Sequence, residues 1–251
     1  MYICCSSLCF TQFGFKELVE KIRELGFNRV DLTISDTGDH LRIAAIMEDS
    51  QKFIQQLRVT EFSFSIFHLV IPTVDTLQNR QILKKVSSVA RCLAVPLISI
   101  STAPIGSNFN TELHRLKCWN QLVNQEGVEL AILNDNQSIT ADPLGAIELC
   151  QRIPGLGINL DPAEYHKNSH PISSVDMLFP HVKHIRLRDT TATGQQVKIG
   201  QGKTDFARLL SQLGNSRYSR ALSIDIHDSP TIDYPIAPEV RKLKFLLASM
   251  L

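Results

Sequence analysis

The chain of 251 residues lacks several features that mark whole classes of protein. It has no run near the roughly 18 apolar residues that a membrane-spanning helix needs, so we expect none. Its apolar start, MYICCSSLCF, has no preceding basic segment and no cleavage site, which predicts a cytoplasmic protein without a signal peptide. The chain has 26 basic and 25 acidic side chains. Its net charge therefore favours neither nucleic acid nor a membrane surface as a partner.

The cysteines also lack the spacing of a metal or redox site. None forms a C-x-x-C pair, and the six are Cys4, Cys5, Cys9, Cys92, Cys118 and Cys150. We therefore expect reduced thiols that serve as small core residues. The hydrophobic fraction of 43% is sufficient for a sizeable core.

What the chain does contain is a coarse repeat of a short β-rich run followed by an amphipathic run. The predicted strands are 2–7, 28–34, 61–67, 96–101, 128–134, 156–161, 182–188 and 221–227. The predicted helices are 15–25, 41–57, 76–93, 110–125, 143–152, 173–179, 205–213 and 237–250. Eight alternating pairs predict one α/β domain over residues 1–251, a single (β/α)8 TIM barrel.

Alternation within the strands supports closure of the barrel. In the eighth strand, one face carries only apolar residues and the other carries Ser223, Asp225 and His227. A flat parallel sheet covered on both sides would be apolar throughout, so a polar face predicts a polar lumen. The third strand is ambiguous, because its apolar parity would place His68 outside unless a bulge intervenes.

Working residues of such barrels lie at the carboxyl ends of strands and in the loops that follow them. These positions provide one converging polar set: Asp31, Ser35, His68, Ser101, Asn134, Asp135, Asp161, Glu164, Arg186, Arg188, Asp225 and His227. An alternative is that Ser35 and Ser101 are ordinary hydroxyls at strand ends. His68 could likewise form only a structural hydrogen bond. Asp161 differs, because an inward carboxylate before Pro162 must find a cation or several donors.

Four stretches, in order along most of the chain, resemble one known family. They are FKELVEKIRELGFNRVDL, GVELAILNDNQSITADPLGAIELC, PGLGINLDPAEY, and HVKHIRLRDT continuing to GQGKTDFARLLSQL and ALSIDI. They are similar to the xylose-isomerase-like TIM barrels, which include sugar-phosphate isomerases and epimerases, hydroxypyruvate isomerase, inosose dehydratase and endonuclease IV.

The resemblance implies a divalent metal, such as Mn, Mg, Co or Zn, held by four residues of the last four strands. Those residues are a Glu ending the fifth strand, an Asp ending the sixth, a His in the seventh and a Glu ending the eighth. This chain has Leu133, Asp161, Arg186 and Asp225 at these positions, and Glu164 where a further histidine is expected. Leucine cannot ligate and arginine is a permanent cation, so we predict no metal cofactor.

The first functional hypothesis is an enzyme that acts on a small carbohydrate or hydroxy-keto compound through a remodelled site. In it, the catalytic candidates are Asp161, Glu164, Asp225 and His227, and the substrate-binding candidates are His68, Asp135, Arg186 and Arg188. The second hypothesis is a non-catalytic relative that keeps the pocket for ligand binding or regulation. A DNA-repair nuclease is disfavoured, since it needs a histidine-rich zinc cluster.

The sharpest expectation concerns Arg186, which would replace the lost metal by bonding to Asp161, Asp225 or both. Two inward carboxylates without a cation would repel each other. In the alternative, Arg186 binds an anionic substrate while a metal is held by Asp161, Glu164 and His227.

Overall fold

A computed structural model describes residues 1–38, 40–167, 170, 172–229 and 231–251. Eight parallel strands pair in chain order, and the eighth pairs with the first, so the sheet closes into a barrel. The strands are β1 Tyr2–Ser6, β2 Arg29–Ser35, β3 Ser63–Val70, β4 Leu97–Ile100, β5 Glu129–Leu133, β6 Leu156–Leu160, β7 Val182–Leu187 and β8 Ala221–Ile224. This confirms the predicted (β/α)8 TIM barrel.

Helices follow the strands and cover the outside of the barrel. They are α1 Phe15–Glu24, α2 Ile43–Glu48, α3 Ser50–Arg58, α4 Leu77–Cys92, α5 Phe109–Asn124, α6 Pro143–Arg152, α7 Pro162–Lys167, α8 Ile172–Asp176, α9 Phe206–Asn215 and α10 Ile236–Ala248. No helix in these described ranges is long and apolar enough to cross a membrane.

The single helix predicted over 41–57 is wrong, because the chain breaks at Asp49 into α2 and α3. The backbone of Asp49 is extended, and its carboxylate accepts a hydrogen bond from the amide of Lys52 at 3.0 Å. A short acidic side chain competes for nearby backbone donors, which makes it a good first residue and a poor interior residue of a helix.

The helix α7 was not predicted, although a signal for it was present. Asp161 accepts from the amide of Ala163 at 3.0 Å, and Pro162 is the first helical residue. The pair Asp142-Pro143, which correctly predicts the start of α6, has the same form. The predicted eighth strand is also too long, since β8 ends at Ile224.

The split faces of the strands divide the interior into two parts. Most apolar side chains pack between sheet and helices in one large cluster, whereas Ile66, Leu97 and Ala131 form a small separate cluster. We assign these three to the lumen, because Ala131 alternates with Leu130 and Ile132 of the outer cluster. The lumen is therefore partly apolar on the side of β3 to β5.

A bulge in β3 resolves the ambiguity over His68. Val30 pairs with Phe64 and Asp31 with Ile66, so Ser65 is an extra residue that reverses the side-chain parity. His68 consequently points into the barrel, where its Nδ1 lies 3.3 Å from the Ser99 hydroxyl.

Candidate active site

The deepest polar layer of the lumen joins three strands. Asp31 of β2 accepts hydrogen bonds from Ser223 of β8 at 2.9 Å and from His184 of β7 at 3.0 Å. Burial raises the pKa of Asp31, but His184 and Arg186 together outweigh it, and the net pKa is lowered. The carboxylate of Asp31 is therefore held in its charged form below the mouth of the barrel.

The next layer contains Arg186, Asp225 and His227. The Asp225 Oδ2 atom accepts a hydrogen bond from His227 Nε2 at 3.0 Å and lies 3.5 Å from Arg186 Nη1. Burial raises the pKa of Asp225, yet Arg186, His227 and Arg188 together hold it well below its ordinary value. Asp225 is thus a buried anion that orients the half-exposed imidazole of His227.

Arg186 and Asp225 do not form a fully satisfied pair. Among the described residues, the buried atoms Arg186 Nε, Arg186 Nη2 and Asp225 Oδ1 have no hydrogen-bond partner. A buried donor without an acceptor costs free energy, so this layer carries unused hydrogen-bonding capacity.

The uppermost layer links β6, α7 and β7. Arg188 Nη1 donates to Asp161 at 2.6 Å, and Arg188 Nη2 donates to Glu164 at 3.1 Å. Glu164 also accepts from Lys167 at 2.6 Å. Asn134 fixes the backbone of Asp161, since its amide oxygen accepts from Asp161 N at 2.6 Å and its amide nitrogen donates to Asp161 O at 2.8 Å.

These contacts narrow the expectation for Arg186, which named Asp161, Asp225 or both as partners. Among the described residues, Asp161 pairs with Arg188, and the acidic partner of Arg186 is Asp225 at 3.5 Å. The reason is local, because the chain turns into α7 directly after Asp161. One oxygen of Asp161 caps that helix, and the other faces Arg188.

The two remaining candidates, His68 and Asp135, lie in surroundings that suit a structural role. Burial, and then the charge of Arg186, lower the pKa of His68 to about 3, so this residue is a neutral group of the lumen. Asp135 is half-buried, and its carboxylate accepts from the amide of Gln137 at 2.8 Å. Asp135 nevertheless lines the mouth of the barrel.

The mouth contains a cavity of about 320 Å³, which we call the mouth cavity. Its walls include Asp135, Asp161, Glu164, Lys167, Arg186 and His227. Sequence reasoning missed Lys167, which lies on the unpredicted α7. It also missed Gln196, whose side chain holds the backbone of His227 by accepting from its amide at 2.7 Å and donating to its carbonyl at 2.9 Å. We found no sequence signal for Gln196.

This arrangement is suited to proton transfer and to binding an oxygen-rich ligand. A carboxylate that orients an imidazole is a common general acid–base unit. A guanidinium with unused donors next to it can stabilise negative charge on a ligand oxygen.

A family model described as "xylose isomerase-like TIM barrel" matches residues 19–246. The chain belongs to that family. Solved structures agree in fold. One is a xylose isomerase-like TIM barrel protein from Mycobacterium smegmatis in complex with magnesium, with a TM-score of 0.79, 13% identity and coverage of 100% of this chain and 98% of that one.

Sugar epimerases of known structure are similar in the same way. An L-ribulose 3-epimerase has a TM-score of 0.77 and 13% identity, with 100% of this chain and 95% of that one covered. A D-allulose 3-epimerase from Methylomonas sp. has a TM-score of 0.75 and 12% identity, with 100% and 98% covered. At such low identity, these likenesses establish the fold alone.

A curated relative matches over a shorter stretch. The arginine repressor of Caldicellulosiruptor saccharolyticus is 28% identical over 92 residues, which cover 34% of this chain and 60% of that protein. The match thus spans less than two thirds of the repressor and assigns no family.

Proposed function

We propose that the mouth cavity binds a small hydroxylated or hydroxy-keto carbohydrate without a divalent metal, and that the His227–Asp225 pair moves a proton on it. The observation that carries this proposal is the buried guanidinium of Arg186, which lines the cavity beside that pair and leaves two donors unused. A carbonyl or hydroxyl oxygen of the ligand would accept a hydrogen bond from this guanidinium.

The residues at the family's four metal positions do not fit a divalent cation. Leu133 offers no donor atom, and the positive charge of Arg186 repels a metal. Asp161 already accepts from Arg188. In the part of the chain that the structure describes, no three His, Cys, Asp or Glu side chains are grouped to hold an ion.

In the proposed reaction, each residue has a separate task. Asp225 orients the imidazole of His227, which takes a proton from the hydroxyl-bearing carbon next to the ligand carbonyl and returns it to the former carbonyl carbon, while the hydroxyl proton moves to the former carbonyl oxygen. Arg186 stabilises the negative charge that develops on the carbonyl oxygen during this step. Asp161 and Glu164, which Arg188 holds in place, form the wall that positions the hydroxyl groups.

A turnover assay with ketoses and hydroxy-keto acids tests this function, run with and without EDTA. Because general acid–base groups contribute about 10²- to 10⁴-fold, His227→Ala should lower kcat by at least about 100-fold. His114→Ala, on the exposed face of α5, is the matched control and should leave kcat unchanged. Activity that EDTA abolishes and Mn²⁺ restores would contradict the proposal.

Metal binding tests the role of Arg186 without turnover. We expect calorimetric titration of the unmodified chain with Mn²⁺ or Zn²⁺ to show no stoichiometric binding. Leu133→Glu combined with Arg186→His restores two donors and should produce measurable affinity, whereas Leu133→Glu alone should not. Stoichiometric micromolar binding by the unmodified protein at this cavity would rule the idea out.

One observation favours a second function, that of a non-catalytic ligand-binding protein. The two carboxylates at the family's metal positions are already close to arginines, Asp161 to Arg188 and Asp225 to Arg186. Saturable sugar binding without turnover, with affinity retained in His227→Ala, would decide for this function.

A further inference from the structure

The loops after β7 and β8 enclose a second cavity next to the mouth cavity. It has a volume of about 590 Å³, and we call it the side chamber. Its walls include Lys167, Arg188, Lys198, His227, Asp233 and Tyr234. Lys167 and His227 line the mouth cavity as well, so one ligand could extend past His227 into both spaces.

More cationic than anionic side chains line the side chamber. Three of its lining residues are cations, Lys167, Arg188 and Lys198, and one is a carboxylate, Asp233. Lys167 and Arg188 are engaged by acidic residues of the mouth. Within the described ranges, Lys198 forms no ion pair, and its Nζ atom lies 5.6 Å from the centre of the Tyr234 ring.

The loop that carries Lys198 is held firmly in place. The buried carboxylate of Asp189 accepts hydrogen bonds from the amides of Gly200 at 2.8 Å and Gly202 at 3.0 Å. Glu239 of α10 accepts from the amide of Ile199 at 2.8 Å. A side chain on Gly202 would collide with Asp189. On the other side of Lys198, the amide of Val197 donates to the carbonyl of Asp189 at 3.0 Å. The backbone on both sides of Lys198 is therefore preorganised, which lowers the entropic cost of using this lysine in binding.

We propose that the side chamber binds an oxyanionic group of the ligand, a phosphomonoester or a carboxylate, and that Lys198 is the residue that recognises it. The ligand is then a carbohydrate with a charged end, whose uncharged part lies in the mouth cavity. This placement rests on the proposed function for the mouth cavity. It agrees with a general property of (β/α)8 barrels, in which loops after the seventh and eighth strands frequently hold phosphate.

The interaction of Lys198 with Tyr234 provides the competing explanation. A lysine over an aromatic ring gains stability without any ligand. Under that explanation, Lys198 contributes to folding only, and an anion in the chamber would not depend on it.

Titration of the full chain with inorganic phosphate distinguishes the two. We expect saturable binding, detected by calorimetry or by amide shifts in the 191–204 loop, that weakens as ionic strength rises. Lys198→Gln should weaken it by about tenfold or more, since one charge-assisted hydrogen bond is lost. Lys85→Gln removes the same charge from the exposed face of α4 and should have no effect. Lys198→Arg should retain at least part of the affinity.

Two further titrations identify the chemistry of the anion. Binding of phosphate but not of acetate indicates a phosphomonoester, and comparable binding of acetate indicates a carboxylate. Absence of saturable binding by either anion, or equal affinity in Lys198→Gln and the unmodified chain, overturns the proposal. Thermal unfolding of each variant shows whether its fold is intact.

These titrations need no turnover and can be run in EDTA. They therefore test the anion site separately from the proposed reaction. Lys198-dependent phosphate binding without hydroxy-keto turnover would refute the reaction and leave the anion site standing. Turnover of uncharged ketoses without any anion binding would refute the anion site alone.

Discussion

Several arginine–carboxylate pairs are almost completely buried in the described part of this barrel, and two of them, the pair on α5 and the pair of Arg186 with Asp225, differ in how well their polar atoms are satisfied. On α5, Arg115 donates to Glu112 from Nε at 2.7 Å and from Nη2 at 2.6 Å, and Glu112 also accepts from the amide of Ala103 at 3.0 Å. In the lumen, Arg186 approaches Asp225 only to 3.5 Å, with no hydrogen bond between them.

The difference separates a pair whose contacts hold structure from one with unused hydrogen-bonding atoms. Arg115 also donates to the carbonyl of Ser101 at 3.1 Å, so this pair anchors the loop after β4 and leaves only its Nη1 atom without a partner among the described residues. Arg186 leaves two nitrogen atoms, Nε and Nη2, without a hydrogen-bond partner among the described residues. Burial alone therefore does not reveal a functional residue, whereas unsatisfied burial beside a cavity is informative.

The largest expected effect comes from breaking the satisfied pair. Glu112→Ala leaves Arg115 buried without its counter-ion and should lower the free energy of unfolding by about 3–5 kcal/mol, measured by urea denaturation. The control is Glu148→Ala, which removes an exposed pair with Arg152 and should cost no more than about 1 kcal/mol. Equal losses in the two variants would show that the α5 pair has no special structural role.

Replacing Arg186 should lower the free energy of unfolding less than Glu112→Ala does, and it should impair ligand binding more. In Arg186→Met, the Oδ2 atom of Asp225 still has His227 Nε2 at 3.0 Å and Arg188 Nη1 at 3.7 Å. We therefore expect the free energy of unfolding to fall by about 1–3 kcal/mol. Binding of the hydroxy-keto ligand should weaken at the same time. A loss of stability as large as that of Glu112→Ala, with binding unchanged, would assign Arg186 to structure.

The smallest effect is a dependence of stability on pH. Because the folded pKa of Asp225 lies well below its ordinary value, its stabilising contribution is complete above the unfolded pKa, about 3.9. The contribution is lost as the pH falls through the lower folded pKa. Urea unfolding from pH 6 to pH 3 should therefore show a shrinking difference between the unmodified chain and Asp225→Asn.

Asp31 shifts in the same direction, so part of the acid dependence should remain in Asp225→Asn. A difference between the two proteins that stays constant, or grows, as the pH falls would contradict the lowered pKa of Asp225.

The fold was accessible from the sequence because strand alternation is a local property of the backbone. Two-residue periodicity in Ser223, Asp225 and His227 predicted one polar face, and the structure places Asp225 and His227 together with Arg186 at the mouth. Local pattern failed at Asp49, where capping interrupts a helical pattern, and it left β3 ambiguous, because one extra residue there reverses the faces.

The sequence by itself determined the barrel and the set of charged residues that its lumen must accommodate, since residue type and period act over a few neighbouring positions. Only the tertiary structure decided which of them pair. Arg188 takes Asp161 because α7 begins immediately after it, and Lys198 lines the side chamber because Asp189 and Glu239 fix its loop. These contacts join residues that are distant along the chain, so they depend on the closure of the barrel rather than on local pattern.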